Sequence, residues 1–194
     1  GNWVPATILR ISYGCAVAFL LLFFFSAFCW HNFWAAVIAG LLALAAVVIA
    51  VFMQVCHHTF SFNGGGLMGE IHQFLIDHLD WDGHGTLLDI GCGAGALTNR
   101  CAKQFPEATL QGMDYWGMGW DYAKEQCERN AEIEGVADRV TFSKGDASKL
   151  DFADESFDAA VSNFVFHEVK TQPDKREVVR EALRVVKKGG AFAF

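Results

Sequence analysis

Thr86-Leu87-Leu88-Asp89-Ile90-Gly91-Cys92-Gly93-Ala94-Gly95-Ala96, followed by Leu97-Thr98-Asn99-Arg100-Cys101-Ala102, decides how the second half of this chain folds. The apolar run Thr86–Ile90 reads as the end of a buried strand. Three alternate glycines make a turn, and Ala94–Phe105 reads as a helix. Glycines at such a turn let backbone and ligand approach closely, and the helix N-terminus presents N–H groups with a partial positive charge. The expectation is a pocket for an anionic or polar cofactor. Asp89 stands two residues before the first glycine, where it would face a ligand group of positive charge or cap the following helix. Gly91-x-Gly93-x-x-Ala96 also satisfies the relaxed dinucleotide fingerprint, so NAD or FAD binding is open at this point.

Working outward, strands and helices alternate. Leu67–Leu79 reads as an amphipathic helix with Leu67, Ile71, Phe74, Leu75, His78 and Leu79 near one face. Thr109–Met113 and Val140–Ser143 read as the second and third strands, with a helix over Trp120–Glu134 between them. Phe157–Asn163 reads as a fourth strand and Lys175–Lys187 as a helix ending at Gly189-Gly190, with Ala191–Phe194 opening a fifth strand. This spacing predicts an α/β, Rossmann-like, doubly wound and mostly parallel sheet, with a pocket where the strand order reverses after the third strand. The chain begins on Gly rather than Met and stops inside a strand, so the natural protein is expected to continue.

The first part of the chain is physically different. The 194 residues carry a formal net charge of −7, yet between Arg10 and Glu70 there is no Asp, Glu, Lys or Arg. Residues 11–30 and 33–56 form two apolar runs, each spanning roughly 30 Å or more as a helix, enough to cross a bilayer core. His31-Asn32 is the polar break between them, and Trp30, Phe33 and Trp34 cluster there as an interfacial aromatic belt would. A transmembrane helical hairpin over 1–56, a juxtamembrane linker over 57–66 and a soluble domain over 67–194 are expected. Arg10 against a turn without basic residues places the soluble domain in the cytoplasm by the positive-inside rule. The six cysteines show no metal-ligand or disulfide spacing and read as reduced thiols, and no metal is expected. His57-His58 lacks further ligands nearby, and the glycines of Asn63-Gly64-Gly65-Gly66 follow no strand, so a flexible linker or lid is the reading there. The acidic balance, with no basic stripe, argues against a nucleic-acid partner.

Three further stations stand at predicted strand ends. Gln111-Gly112-Met113-Asp114, with Tyr115 next, puts a carboxylate about twenty residues past the glycines, where it can accept from both hydroxyls of a ribose. Ser143-Lys144-Gly145-Asp146-Ala147 offers a carboxylate and a backbone N–H to an adenine edge. Val161-Ser162-Asn163-Phe164-Val165-Phe166-His167-Glu168 brings a polar group followed by aromatics.

In this order of motifs, extending through Phe157-Asp158 and Leu183-Arg184-Val185-Val186-Lys187-Lys188-Gly189-Gly190, the chain from Leu67 to Phe194 resembles the class I S-adenosylmethionine-dependent methyltransferases. The resemblance implies that Asp89, Gly91, Cys92, Gly93 and Gly95 hold the methionine end. It also implies that Asp114 with Tyr115 binds the ribose, that Asp146 and Ala147 bind the adenine, and that Asn163 lies beside the methionine moiety. Methyl transfer from a sulfonium is an in-line displacement in which most of the catalysis is positioning, with proton removal added for hydroxyl or carbon nucleophiles. His167, beside Glu168, is the candidate base. The anchor suggests a lipophilic small-molecule acceptor delivered from the bilayer, against the plainer reading of an anchor that only localises the enzyme. A membrane-tethered cofactor-binding scaffold or sensor and an NAD-dependent oxidoreductase are the competing functions.

Overall fold

A computed structural model describes residues 2, 4–62, 65–117 and 123–194. They divide into two compact units, Asn2–Met68 and Gly69–Phe194.

The first unit is a helical hairpin. Helix α1 (Ala6–Phe24) continues through a single π turn (Phe25–Cys29), and α2 spans Phe33–Phe60. Between them His31 adopts a left-handed backbone (φ 50°), and Asn32 caps α2 by accepting from the Ala35 N–H at 3.0 Å. Ala39, Ala43, Ala46 and Ala50 recur along one side of α2 and are the residues of that helix buried on packing. Small side chains on this stripe let two backbones approach closely. The open ends are tied by the Tyr13 hydroxyl donating to Gln54 Oε1 at 3.0 Å, and by the His57 ring contacting the Val4 carbonyl at 2.9 Å. Both helices are long and apolar enough to cross a membrane, and only 6% and 22% of their most apolar stretches are buried. Most of their Leu, Ile, Val and Phe side chains are exposed, while Phe23 packs against Gly40. Because α2 runs to Phe60, His57 and His58 form its last turn instead of opening a linker. Asn63 and Gly64 of the expected linker lie outside the described residues.

The second unit is a five-stranded parallel sheet. Its strands are β1 (Gly85–Ile90), β2 (Ala108–Asp114), β3 (Val140–Lys144), β4 (Phe157–Ser162) and β5 (Val186–Ala193), in the order β3-β2-β1-β4-β5. The helices are α3 (Leu67–Asp77), α4 (Ala96–Gln104), α5 (Lys124–Glu134) and α6 (Lys175–Val185). The expected start of α5 at Trp120 lies outside the described residues. The order reverses at β1, so the edge formed by the ends of β1, β2 and β4 is a topological switch point. Central β1 is buried on both faces. Leu87 joins α3, α4 and α5 side chains in one core layer, while Leu88 and Ile90 join Val178, Ala182 and Val185 of α6 in the other.

Two sequence expectations are corrected. Gly189-Gly190 does not end the last helix. α6 stops at Val185, and the glycines lie within β5, at a bulge where pairing with β4 jumps from Phe157↔Val186 to Ala159↔Ala191. A Cβ on Gly190 would stand 2.6 Å from the Asp158 carbonyl, so the bulge requires glycine there. Along α3 and the turn after it, the buried face is His72, Leu75, Ile76 and Leu79, while Phe74 is 62% exposed. Outside, the His78 ring lies over the Phe74 ring with centroids 4.0 Å apart and contacts the Phe74 carbonyl.

Asp158 has a structural place at the opposite edge from the switch point. Its carboxylate accepts from the Thr86 N–H at 2.9 Å and from Lys187 Nζ at 2.6 Å, joining β4 to its neighbours on both sides. The Lys187 bond, with those from Thr86, holds its pKa below the usual carboxylate value despite partial desolvation.

Candidate functional site at the switch point

The glycine turn is tied to β2. The Gly91 and Cys92 N–H groups both donate to the Met113 carbonyl, at 2.7 and 3.0 Å. The Gly93 N–H donates to Asp114 Oδ2 at 2.9 Å, and the Trp116 N–H to Asp114 Oδ1 at 2.8 Å. Trp116 Nε1 then donates to the Gly93 carbonyl at 2.9 Å, closing the loop. These two bonds hold Trp116 at φ 42°, a left-handed conformation that bulky residues rarely adopt. Gly91, Gly93 and Gly95 all have positive φ (77°, 57° and 78°). Gly91 has a second constraint: a Cβ there would come within 2.2 Å of Val165 Cγ2. The turn is thus closed by Val165 on one side and Asp114 on the other.

Asp89 is deeply placed, 1% exposed. Its Oδ2 accepts a 2.6 Å bond from the Thr98 hydroxyl in the first turn of α4. Burial pushes its pKa up to about 7; the Thr98 bond opposes the shift and nearby Asp114 adds to it. It therefore shares its proton with solvent near neutrality, and a positive neighbour would favour its ionised form. Thr98 was not singled out from the sequence. Its signal is the spacing of nine residues from Asp89, which brings a hydroxyl back over the strand end once a tight turn intervenes.

Cys92 is buried and contacts Cys127, whose thiol donates to the Gly93 carbonyl at 3.1 Å. The Cys127 contact and burial drive the Cys92 thiol pKa far up, so Cys92 packs the turn and is no nucleophile.

Asp114 is half-buried at the end of β2, and two accepted N–H bonds leave lone pairs on both its oxygens. Tyr115 is 58% exposed, with Lys144 Nζ lying 5.6 Å from its ring centroid. Asp146 closes a turn after β3, accepting from the Ser148 N–H at 2.8 Å and the Thr171 hydroxyl at 2.9 Å. Partial burial opposes its ionisation, but the Ser148 and Thr171 bonds prevail and lower its pKa. Ala147 is buried beneath it.

Beyond β4, Ser162 donates to the Ile90 carbonyl at 2.8 Å, fastening the strand end to β1. Asn163 follows, half-buried, with its Nδ2 at 3.2 Å from His72 Nε2 of α3. Phe164 (φ 56°) is exposed, and Phe166 is buried in a cluster with Phe192 and Phe194. His167 projects outward, its Nε2 3.5 Å from Glu168 Oε1, with both side chains more than half exposed. The structure therefore brings Asp89, the glycines, Asp114 and Asn163 to one strand edge, with Asp146 at the end of β3. His167 stands apart on an exposed 3-10 turn (Phe166–Glu168). His72, from a helix preceding every cofactor motif, was missed because only the folded sheet brings it to Asn163.

A methyltransferase-domain family model matches residues 88–194. The sterol 24-C-methyltransferase of Aspergillus fumigatus is 36% identical over 106 residues, which are 55% of this chain and 26% of that protein. The biotin biosynthesis bifunctional protein of Teredinibacter turnerae is 32% identical over 139 residues, 69% of this chain and 20% of that one. Among solved structures, the YcgJ protein from Bacillus subtilis superposes with a TM-score of 0.53 at 29% identity, covering 64% of this chain and 49% of that one. The chain thus spans about a quarter or less of these curated relatives and about half of the solved one.

Proposed function

The chain belongs to the methyltransferase-domain family, and on that premise we propose that it transfers the methyl group of S-adenosylmethionine to a lipophilic small-molecule acceptor at a membrane. The cofactor is S-adenosylmethionine. One observation carries the reading: across the sheet, the stations fall in the same order as the chemical groups of that molecule. Asp146 and Ala147 end β3, Asp114 ends β2, the glycine turn ends β1 and Asn163 ends β4. Adenine, ribose, sulfonium and amino acid follow one another in that sequence along the cofactor. The residues suit the group. Asp114 is an oriented acceptor for ribose hydroxyls. The glycines allow close approach, and the buried Asp89 carboxyl gains from a cationic neighbour.

Bound, the cofactor supplies an activated methyl on a positive sulfur, so the chain's own contribution is mainly positioning. Asp114, pinned by Gly93 and Trp116, orients the ribose, and Asp146 and Ala147 read the adenine. Asp89 and the turn hold the methionine end. His167 is the candidate group for taking a proton from a hydroxyl or carbon acceptor, and its exposure leaves it open to solvent exchange.

The length and apolar composition of α1 and α2 support a hairpin that crosses the bilayer, and Arg10, against a turn without basic residues, favours a sheet unit on the cytoplasmic side. An enzyme so tethered meets acceptors dissolved in the membrane. A relative that is a sterol methyltransferase acts on an acceptor of that kind. Calorimetric titration of S-adenosylhomocysteine into the chain in lipid nanodiscs, with NADH as comparator, tests the cofactor assignment. Binding of the former alone, lost in Asp114→Ala, supports it. Binding of NADH alone, or of neither ligand to a folded chain, refutes it.

A further inference from the structure

Helix α3 carries a histidine that the proposed chemistry leaves unused. His72 is 5% exposed, and its Nε2 lies 3.2 Å from Asn163 Nδ2. Both partners are held from behind. Arg100 of α4 donates to Gln73 Oε1 at 2.9 Å, while Leu75, Ile76 and Leu79 pack in the same core layer as Leu97 and Cys101. On the other side, Ser162 ties the root of Asn163 to the Ile90 carbonyl. A contact anchored at both ends is geometry that ligand binding can use without reorganisation.

The direction of the bond follows from the amide nitrogen that Asn163 turns to the ring, which can only donate. Burial, aided by the positive Arg100, lowers the His72 pKa to about 4, so the ring is neutral at physiological pH. A neutral imidazole offers one nitrogen lone pair. With Asn163 Nδ2 as donor, His72 Nε2 is the acceptor and the ring proton sits on Nδ1. The Asn163 amide is planar, so turning its nitrogen toward α3 turns its carbonyl oxygen the other way. A side-chain carbonyl suits an ammonium group, and by strand order the amino-acid end of the cofactor lies at β1 and β4.

We propose that His72 is a positioning residue: by accepting from Asn163 it sets the amide so that its carbonyl meets the ammonium of the cofactor's amino-acid end. This rests on the S-adenosylmethionine reading above. A histidine before the first strand would then control selectivity for the amino-acid portion of the ligand while touching neither adenosine nor sulfur.

Two ligands separate this role from a structural one. S-Adenosylhomocysteine carries the amino acid; 5′-methylthioadenosine keeps the adenosine and sulfur and lacks it. Both are titrated into the full chain in nanodiscs, as wild type, His72→Phe and His72→Gln. His72→Phe keeps the volume and removes the acceptor, whereas His72→Gln returns an oxygen acceptor at similar reach. The expected result is about tenfold weaker S-adenosylhomocysteine binding in His72→Phe, as for loss of a hydrogen bond that orients a charged group, with 5′-methylthioadenosine changed less than about twofold. His72→Gln should recover most of the loss. If His72→Phe weakens both ligands equally, or neither, or if His72→Gln restores nothing, the assignment is overturned while the cofactor reading stands. If the wild-type chain binds neither ligand, the cofactor reading itself fails and takes this proposal with it.

Discussion

Replacing Asp89 by Asn should make the sheet unit more stable, by an amount that depends on pH. The carboxyl is fully enclosed, and its pKa is raised from 3.8 to about 7, mainly by burial. Between those two values the folded chain holds a proton that the unfolded chain has released. Stability associated with this group is therefore fully present below about pH 4 and is lost as pH rises toward 7. At about 1.4 kcal/mol per pH unit, the loss reaches about 4 kcal/mol by pH 8 and then levels off. Asn has nearly the same shape, keeps an oxygen to accept from Thr98 and cannot ionise. The gap between Asp89→Asn and wild type should thus be small at pH 4 and widen to a few kcal/mol at pH 8. Urea titrations read by amide exchange of the peptide containing Leu87–Ile90 report this central strand without interference from the hairpin. A gap that stays constant from pH 4 to pH 8, or a variant less stable than wild type at pH 8, would refute the reasoning. Either result would mean that Asp89 ionises normally despite its enclosure.

Other expectations follow from the same geometry. Gly91→Ala meets both a positive φ and Val165 at 2.2 Å, so it should cost about 2–4 kcal/mol by urea unfolding. Adding Val165→Ala should recover part of that loss, and strict additivity in the double-mutant cycle would show that the two do not clash. Asp114→Ala removes the acceptor of Gly93 and Trp116 as well as the ribose station. Its S-adenosylhomocysteine affinity should fall at least about tenfold by calorimetry, and wild-type affinity would exclude Asp114 from the site. Arg184 bonds to Glu181, Asp154 and the Leu150 and Phe152 carbonyls, so Arg184→Met should destabilise the unit by about 1–2 kcal/mol. Thermal melts that coincide with wild type would show this cluster to be energetically idle.

What the sequence determined by itself is whatever depends on neighbours along the chain. The alternation of apolar runs and helical patterns is local, and so is the glycine turn. The parallel sheet and the placement of Asp89, Asp114, Asp146 and Asn163 near strand ends were therefore readable. The charge-free stretch before Glu70 likewise sets apart two long apolar helices, because a helix without a polar face declares itself in composition alone. Only the tertiary structure decided which partner each polar group meets. Asp89, which the sequence set either facing a ligand or capping the next helix, also meets the Thr98 hydroxyl, because the turn folds α4 back over its own strand end. Gly189-Gly190, a plausible helix stop, lies in a bulge because the pairing of β5 with β4 and the Asp158 carbonyl compete for those residues. His72 faces inward, where helical periodicity alone placed Ile71 and Phe74. The face a helix buries is chosen by the surface it meets, and the sheet supplied Asn163 as a partner for the buried His72.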